Sequence, residues 1–586
     1  MSVFKVFELL GGLAFFLYGM NMMGDALERK AGSKLKSILA QLTSNTFKGF
    51  LLGLVVTAII QSSSATTVMV VGFVNSGIMT LRQATGVIFG ANLGTSVTSW
   101  LLSLTGIEGE NFFIQLLKPS SFTPLLAFIG IILIMFIKKN KHKDTALILI
   151  GFSILMFGME VMSGAVEPLA ESEKFKNILI LFSNPVIGLI VGTIFTAIVQ
   201  SSSASVGILQ ALTLTGTVTY ATAIPIVMGQ NIGTCVSAMI SSIGASKNAK
   251  RAAVIHLSFN LISAVVWLTV YYVVESIVGF AFVSQAANPL GIAVVHTVFK
   301  LLALALLMPF GKQLEKLSYI IIKKDESEIE KTELLDERLL TTPSVAIERC
   351  RNVTCEMAKL SVEILHDSLE NLFVCDEKVG DKIRKGEDEA DKYEDALGTY
   401  LVKLSSKSLT DTDSHEVTEL LHIIGDFERI SDHAVNILES SEEIKEKGLS
   451  FSKQAMAELG VMIDAVNEIL DLALEAFNNN DMDKAFLVEP LEQVVDNLKA
   501  LLKKQHISRL RKNECTIELG FVLSDLLTNL ERVSDHCSNV AVCLIEVAHD
   551  SLDMHSHLQT LKSHHNKEFE NNFELYAKKY SISECL

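Results

Sequence analysis

The sequence predicts an all-α chain in two parts. The first is a polytopic membrane domain of two inverted repeats with re-entrant hairpins. The second is a soluble pair of three-helix bundles. Three observations carry this reading. Seven apolar segments long enough to cross a hydrocarbon core all fall within residues 1–310. A unit is duplicated there: Gln61-Ser62-Ser63-Ser64-Ala65 returns 139 residues later as Gln200-Ser201-Ser202-Ser203-Ala204. Charge also divides the chain: residues 1–318 hold 20 Lys and Arg against 12 Asp and Glu, while the remainder holds 30 against 54.

The crossing segments lie near 4–24, 85–106, 122–137, 145–163, 222–244, 252–279 and 288–310. The first has no basic run before it and has a counterpart in the second repeat, so it reads as retained membrane structure. Stretches 47–76 and 183–215 each have an apolar arm, a Gln-Ser-Ser-Ser run and a second arm. Each reads as a hairpin entering and leaving on one side, tolerable only if buried in protein or lining a cavity. The same offset pairs Gly12, Gly19, Met20 and Met23 with Gly151, Gly158, Met159 and Met162.

Basic residues set the orientation. Arg29, Lys30, Lys34, Lys36 and Lys48 follow the first span, Lys138, Lys139, Lys141 and Lys143 join the repeats, and Lys247, Lys250, Arg251, Lys312 and Lys316 follow later spans. Glu108, Glu110, Glu167, Glu171 and Glu173 fall on the other face. Three crossings and one hairpin per repeat place every basic loop inside and the N-terminus outside. The repeats then enter the membrane with opposite orientation, as in secondary transporters, with repeat 1 over about 4–137, repeat 2 over about 145–279 and an extra span at 288–310.

Residues 177–246 contain no Asp, Glu, Lys or Arg, and residues 49–107 contain only Arg82. The presumed site is therefore neutral, rich in hydroxyl and amide groups. Such groups ligate a hard cation through oxygen and donate to an anion through O–H and N–H. A multivalent anion cannot be desolvated there alone, so co-bound cations must compensate it, and the ions bind as a coupled set. Helix packing is the plain alternative for any single serine run. Two copies, each followed at the same distance by Asn92-Leu93-Gly94-Thr95 or Asn231-Ile232-Gly233-Thr234, favour a site. Glu160, His256, Asn260, Glu275, His296 and Lys300 lie in or near apolar segments and read as structural or interface groups.

These residues resemble the type II sodium–phosphate cotransporter family over roughly residues 1–310. The resemblance implies sodium-coupled movement of inorganic phosphate through a bilayer. It makes Gln61, Ser62, Ser63, Ser64, Gln200, Ser201, Ser202 and Ser203 the substrate and sodium region, with Asn92, Thr95, Asn231 and Thr234 as flanking sites. Sodium is then a co-substrate. Alanine follows each serine triplet, where animal members often carry another hydroxyl.

The chain becomes charged after Pro309, with a linker over 311–342. From 343 to 548 the apolar spacing is helical, with breaks near 375–380, 408–413, 448–452, 478–481 and 512–515, which gives six helices in two sets of three. Glu428-Arg429-Ile430-Ser431-Asp432-His433 recurs as Glu531-Arg532-Val533-Ser534-Asp535-His536, and Glu387 and Asp391 share their spacing with Glu492 and Asp496. An i, i+4 spacing puts both carboxylates on one helix face, and two facing helices could present four carboxylates to a metal cluster. Oxygen ligands suit Mg, Mn or Ca, and an added His admits Fe or Zn; carboxylate–arginine networks explain the same residues equally well. The Glu-Arg-x-Ser-Asp-His pattern resembles the PhoU family over about 343–548. That resemblance implies a cytoplasmic regulatory domain, loaded with a divalent or iron-type metal. The eight cysteines show no CxxC spacing, and in such a compartment stay reduced. Residues 549–586 read as a helical or partly disordered tail.

The expectation is a sodium:phosphate symporter of the bacterial inner membrane with a fused regulator, acting as a homodimer or with a phosphate-signalling partner. A phosphate exporter of the same fold and a membrane-tethered phosphate sensor with little flux are the alternatives. No P-loop or nucleophile–base spacing suggests an enzyme. The acidic second half disfavours nucleic acid.

Overall fold

The computed structural model describes residues 3–40, 46–107, 115–116, 118–136, 140–323, 335–407, 409–548 and 567–582. Glu108, Glu110, Lys138, Lys139, most of the linker and residues 549–566 lie outside them. Among the described residues all regular elements are helical, and a lone bridge joins Thr219 to Ala286. The chain forms two compact units, residues 1–345 and 346–586.

In the first unit, repeat 1 comprises α1 (Val3–Ala40), α2 (Thr46–Ile60), α3 (Ser63–Asn75), α4 (Leu81–Ser103) and α5 (Pro119–Phe136). Repeat 2 comprises α6 (Asn140–Val166), α7 (Glu173–Phe182), α8 (Pro185–Val199), α9 (Ser202–Thr213), α10 (Tyr220–Gly233), α11 (Cys235–Ser241) and α12 (Lys247–Val278). Then come α13 (Pro289–Leu307) and α14 (Gly311–Ile321). Among the described residues, seven helical stretches are long and apolar enough to cross a membrane, one for each segment expected from sequence. Both hairpins form, as α2–α3 and α8–α9. Repeat 2 adds α7, bent by 100° against α8.

The repeat glycines are packing residues. A Cβ on Gly12 would sit 2.8 Å from Met162 N, and one on Gly19 would sit 2.3 Å from Leu155 N. Gly12 thus faces Gly158 and Gly19 faces Gly151, so α1 and α6 run antiparallel with their backbones in contact. The two repeats therefore begin in opposite directions. Phe16, Met23, Leu155, Met159 and Met162 seal this crossing, and Ala204 and Ala211 of α9 join the same cluster.

Segment 336–342 is seated on the first unit. Asp336 accepts from Asn75 Nδ2 at 2.7 Å, and Arg338 donates to the carbonyls of Ser241 and Ile243. Leu339 is fully buried and lies over Gly72, whose missing side chain leaves it room.

The second unit holds α15 (Pro343–Asn371), α16 (Glu377–Ser405), α17 (Asp411–Glu446), α18 (Lys453–Asn479), α19 (Met482–Arg511), α20 (Ile517–Ala548) and α21 (Lys567–Lys579). The interhelix breaks fall where the sequence places them. Helix α17 packs on α20, so the third helices of the two sets meet. The described part of the tail is helical: α21 lies on α19, and its Lys579 Nζ is 2.7 Å from Glu468 of α18.

Candidate functional site

The hairpin breaks are built from two caps placed back to back. Helix α2 ends with Gln61 in the left-handed conformation, φ 58°, its N–H bonded to Thr57 O at 2.8 Å. The next residue opens α3: Ser62 Oγ accepts from Ala65 N at 3.1 Å. Repeat 2 does the same, with Gln200 at φ 55° and Ser201 Oγ accepting from Ala204 N at 3.2 Å. Equivalent hydroxyls tie the hairpin arms: Thr57 to Thr66 at 3.1 Å, and Thr196 to Ser205 at 2.8 Å. A non-glycine residue in this region costs free energy and persists only where its surroundings fix it.

The two breaks share one cavity of about 450 Å³. Gln61, Ser62, Ser63 and Ser64 line it from one repeat, and Gln200, Ser201, Ser202 and Ser203 from the other. The amino ends of α3 and α9 therefore open at one cavity, each with first-turn N–H groups that have no partner inside the helix. Ser63 Oγ is buried and has no hydrogen-bond partner among the described residues. The glutamines differ: Gln61 is buried and accepts from Thr98 Oγ1 at 2.9 Å, whereas Gln200 is exposed.

The other four expected residues do not line this cavity. Asn92 Nδ2 and Asn231 Nδ2 donate back to Ile88 O and Val227 O of their own helices. Thr95 and Thr234 donate to Asn92 O and Gln230 O. The Gly of each Asn-x-Gly-Thr element explains part of the motif by packing: Gly94 lies against Thr57, and Gly233 against Thr193 O and Thr196.

The expectation of a neutral site is corrected in two places. Asp25 and Glu28 of α1 line the cavity, with Asn21 and Gly24 on the same helix face. Their spacing from Leu17 continues a helical stripe, a signal lost when residue 24 is taken as the end of the span. Lys300, read from sequence as a structural group, is 5 % exposed and donates to Asn92 O and Thr95 Oγ1. Of the other polar groups in apolar segments, Glu160 is exposed and lines a separate cavity of about 300 Å³ with Lys118 and Ser163. Thr341 closes part of the main cavity wall.

In the second unit Glu492, Asp496 and Asp535 bring carboxylate oxygens within 4.8 Å of one another, the one such group among the described residues. Burial, then Glu531 and Asp496, push the Asp535 carboxyl up. Glu531 is drawn aside to Lys499, at 2.8 Å. The first set, Glu387, Asp391, Glu428 and Asp432, does not close in this way. Its groups still feel one another: burial and Asp432 raise Glu387, and burial, then Asp432 and Glu394, push Glu428 up to about 7. The motif histidines join the two bundles instead of the carboxylates. His433 Nδ1 pairs with Asn529 Oδ1 and His536 Nδ1 with Asp426 Oδ1, each at 2.9 Å, and the two rings stack with centroids 5.7 Å apart.

Comparison with known proteins agrees with this division. The Na+/Pi-cotransporter family matches residues 15–164 and 154–291, and the PhoU domain matches residues 354–441 and 459–544. YjbB of Escherichia coli (strain K12), named as a candidate inorganic phosphate export protein, is 24% identical over 92% of this chain and 97% of its own. The human sodium-dependent phosphate transport protein 2B is 27% identical over 24% of this chain and 20% of its own. A PhoU crystal structure from Streptococcus pneumoniae aligns at 19% identity with a TM-score of 0.33, over 36% of this chain and 98% of that one.

Proposed function

Because this chain carries Na+/Pi-cotransporter domains in its N-terminal part and PhoU domains in its C-terminal part, we propose that it is a sodium-coupled phosphate symporter of the bacterial inner membrane. The supporting observation is the single cavity lined by both serine runs. Two helix amino ends and serine hydroxyls would take the phosphate oxygens. Asp25 and Glu28 on the same wall favour sodium and repel an unaccompanied anion, so sodium would load first and phosphate would complete the set. Rocking of one repeat against the other would then alternate access.

The proposed layout is a transmembrane domain over 1–310, a linker over 311–342, a PhoU-like regulator over 343–548 and a tail over 549–586. The N-terminus lies outside and the regulator in the cytoplasm. Glu492, Asp496 and Asp535 would hold a divalent cation through oxygen alone, which fits a hard metal and cross-links α19 to α20.

Net phosphate export by the same fold is a second reading, favoured by the relative named for export that aligns with 92% of this chain. Reconstitution into liposomes tests both. Phosphate accumulation driven by an inward sodium gradient supports symport. Phosphate movement that ignores the sodium gradient rejects it, and tight binding with negligible flux points to a sensor.

A further inference from the structure

Lys300 is a buried cation with no buried acid beside it among the described residues. It sits on α13, and its ammonium donates to Asn92 O and Thr95 Oγ1 of α4. Helix α13 also packs against α10 and α12. Helices α4, α10 and α13 contain no Asp or Glu, and α12 contains only Glu275, 15 residues beyond Asn260 in a stretch with Tyr271 and Tyr272. Asn260 Nδ2 itself is held by His256 O and Cys235 Sγ. The neighbouring imidazoles offer no counter-charge: His256 and His296 are buried, and their Nδ1 atoms have no hydrogen-bond partner among the described residues.

An unpaired ammonium buried in a membrane domain is costly, and a merely structural role is served as well by an uncharged side chain. What surrounds this one is a carbonyl oxygen and a hydroxyl oxygen. That is the donor set a protein offers a monovalent metal cation, which carries the same charge. The position is also wired to the transport cavity. Thr98, one helical turn beyond Thr95, donates to Gln61 Oε1 at 2.9 Å, and Gln61 lines the cavity.

We propose that the Lys300 ammonium is a tethered cation filling one cation position of the transport machinery, at Asn92 O and Thr95 Oγ1. The chain then uses one sodium ion fewer per phosphate than the same oxygens would take if that side chain were neutral. This rests on the sodium-coupled reading above. It adds that part of the compensating positive charge is covalent and never leaves.

The full-length protein, purified and reconstituted in liposomes, tests this with Lys300→Met, Lys300→Gln and Lys300→Arg. Radioactive sodium and phosphate fluxes are counted together, and thermal unfolding is compared in sodium and in N-methylglucamine. The neutral variants are expected to move one additional sodium ion per phosphate, with a steeper sodium dependence. Their unfolding should become more sodium-dependent than that of the wild type. Lys300→Arg should keep the wild-type ratio. An unchanged ratio in the neutral variants overturns the proposal, as does their failure to fold even in saturating sodium. If the wild type moves no phosphate in response to sodium, the proposed function fails on its own. The unfolding comparison then still decides the role of Lys300, as it does wherever a variant loses flux: a gain of sodium-dependent stability in the neutral variants supports it, and no gain overturns it.

Discussion

Gln61 and Gln200 hold the same left-handed backbone, φ 58° and 55°, at equivalent positions of two repeats that run in opposite directions. Each ends one helix, and the serine after it opens the next. The matched residues mark the turn of each hairpin, and both turns line one cavity. Glycine adopts that backbone without cost, whereas a β-branched residue does not. Gln200→Gly should therefore keep the fold, and Gln200→Val should lose about 1–2 kcal/mol. Chemical or thermal unfolding of the purified variants measures the difference.

The buried Ser63 hydroxyl has no partner among the described residues, so its loss should cost the ligand-free protein little. Ser63→Ala should unfold within about 0.5 kcal/mol of the wild type without ligand. The same change, or Ser202→Ala, should weaken phosphate binding by roughly tenfold or more, as expected for a hydrogen bond to a charged group of ~1.5–3 kcal/mol. Sodium affinity should fall with it. Equilibrium binding of labelled phosphate across sodium concentrations reads both.

Thr341 lines the cavity from segment 336–342, which Arg338 ties to the carbonyls of Ser241 and Ile243. Thr341→Cys should react with a membrane-impermeant thiol reagent from the cytoplasmic side, and phosphate with sodium should slow the reaction. Adding Arg338→Ala, which removes these bonds, should speed labelling severalfold. Peptide mass spectrometry distinguishes this thiol from the native ones.

Glu428 binds its proton more tightly in the folded protein, with its carboxyl pushed up to about 7. Between its unfolded value of 4.5 and about 7 the folded state holds more protons than the unfolded one, so this group costs stability as pH rises. Glu428→Gln should raise the Tm of the second unit at pH 8 and have little effect at pH 5, both in the presence of a chelator. Solvent screening limits the gain to ~1 kcal/mol, about 2–4 °C for a domain of this size.

A divalent cation held by Glu492, Asp496 and Asp535 should stabilise the second unit in proportion to its occupancy. Magnesium or manganese should raise the wild-type Tm, and Glu492→Gln should abolish that rise. Differential scanning of the two proteins with and without each metal is the check.

Local chemistry was legible in the sequence where it repeats. The paired serine runs announced both hairpins because each lies between two apolar arms and because the offset of 139 recurs. The six soluble helices were legible from their punctuation. What escaped was set by packing between distant segments. Asp25 and Glu28 lie just past the span read over 4–24, and only α1 set beside the hairpins brings them to the cavity. Lys300 lies 205 residues from Thr95, a separation no periodicity bridges. The motif histidines looked like spare metal ligands until α17 met α20 and stacked them.

The most direct test is the reciprocity of binding at the shared cavity, measured as phosphate affinity at low and saturating sodium and sodium affinity with and without phosphate. Sodium should tighten phosphate binding, and phosphate should tighten sodium binding by the same overall factor. Phosphate binding of equal strength with and without sodium would contradict the account.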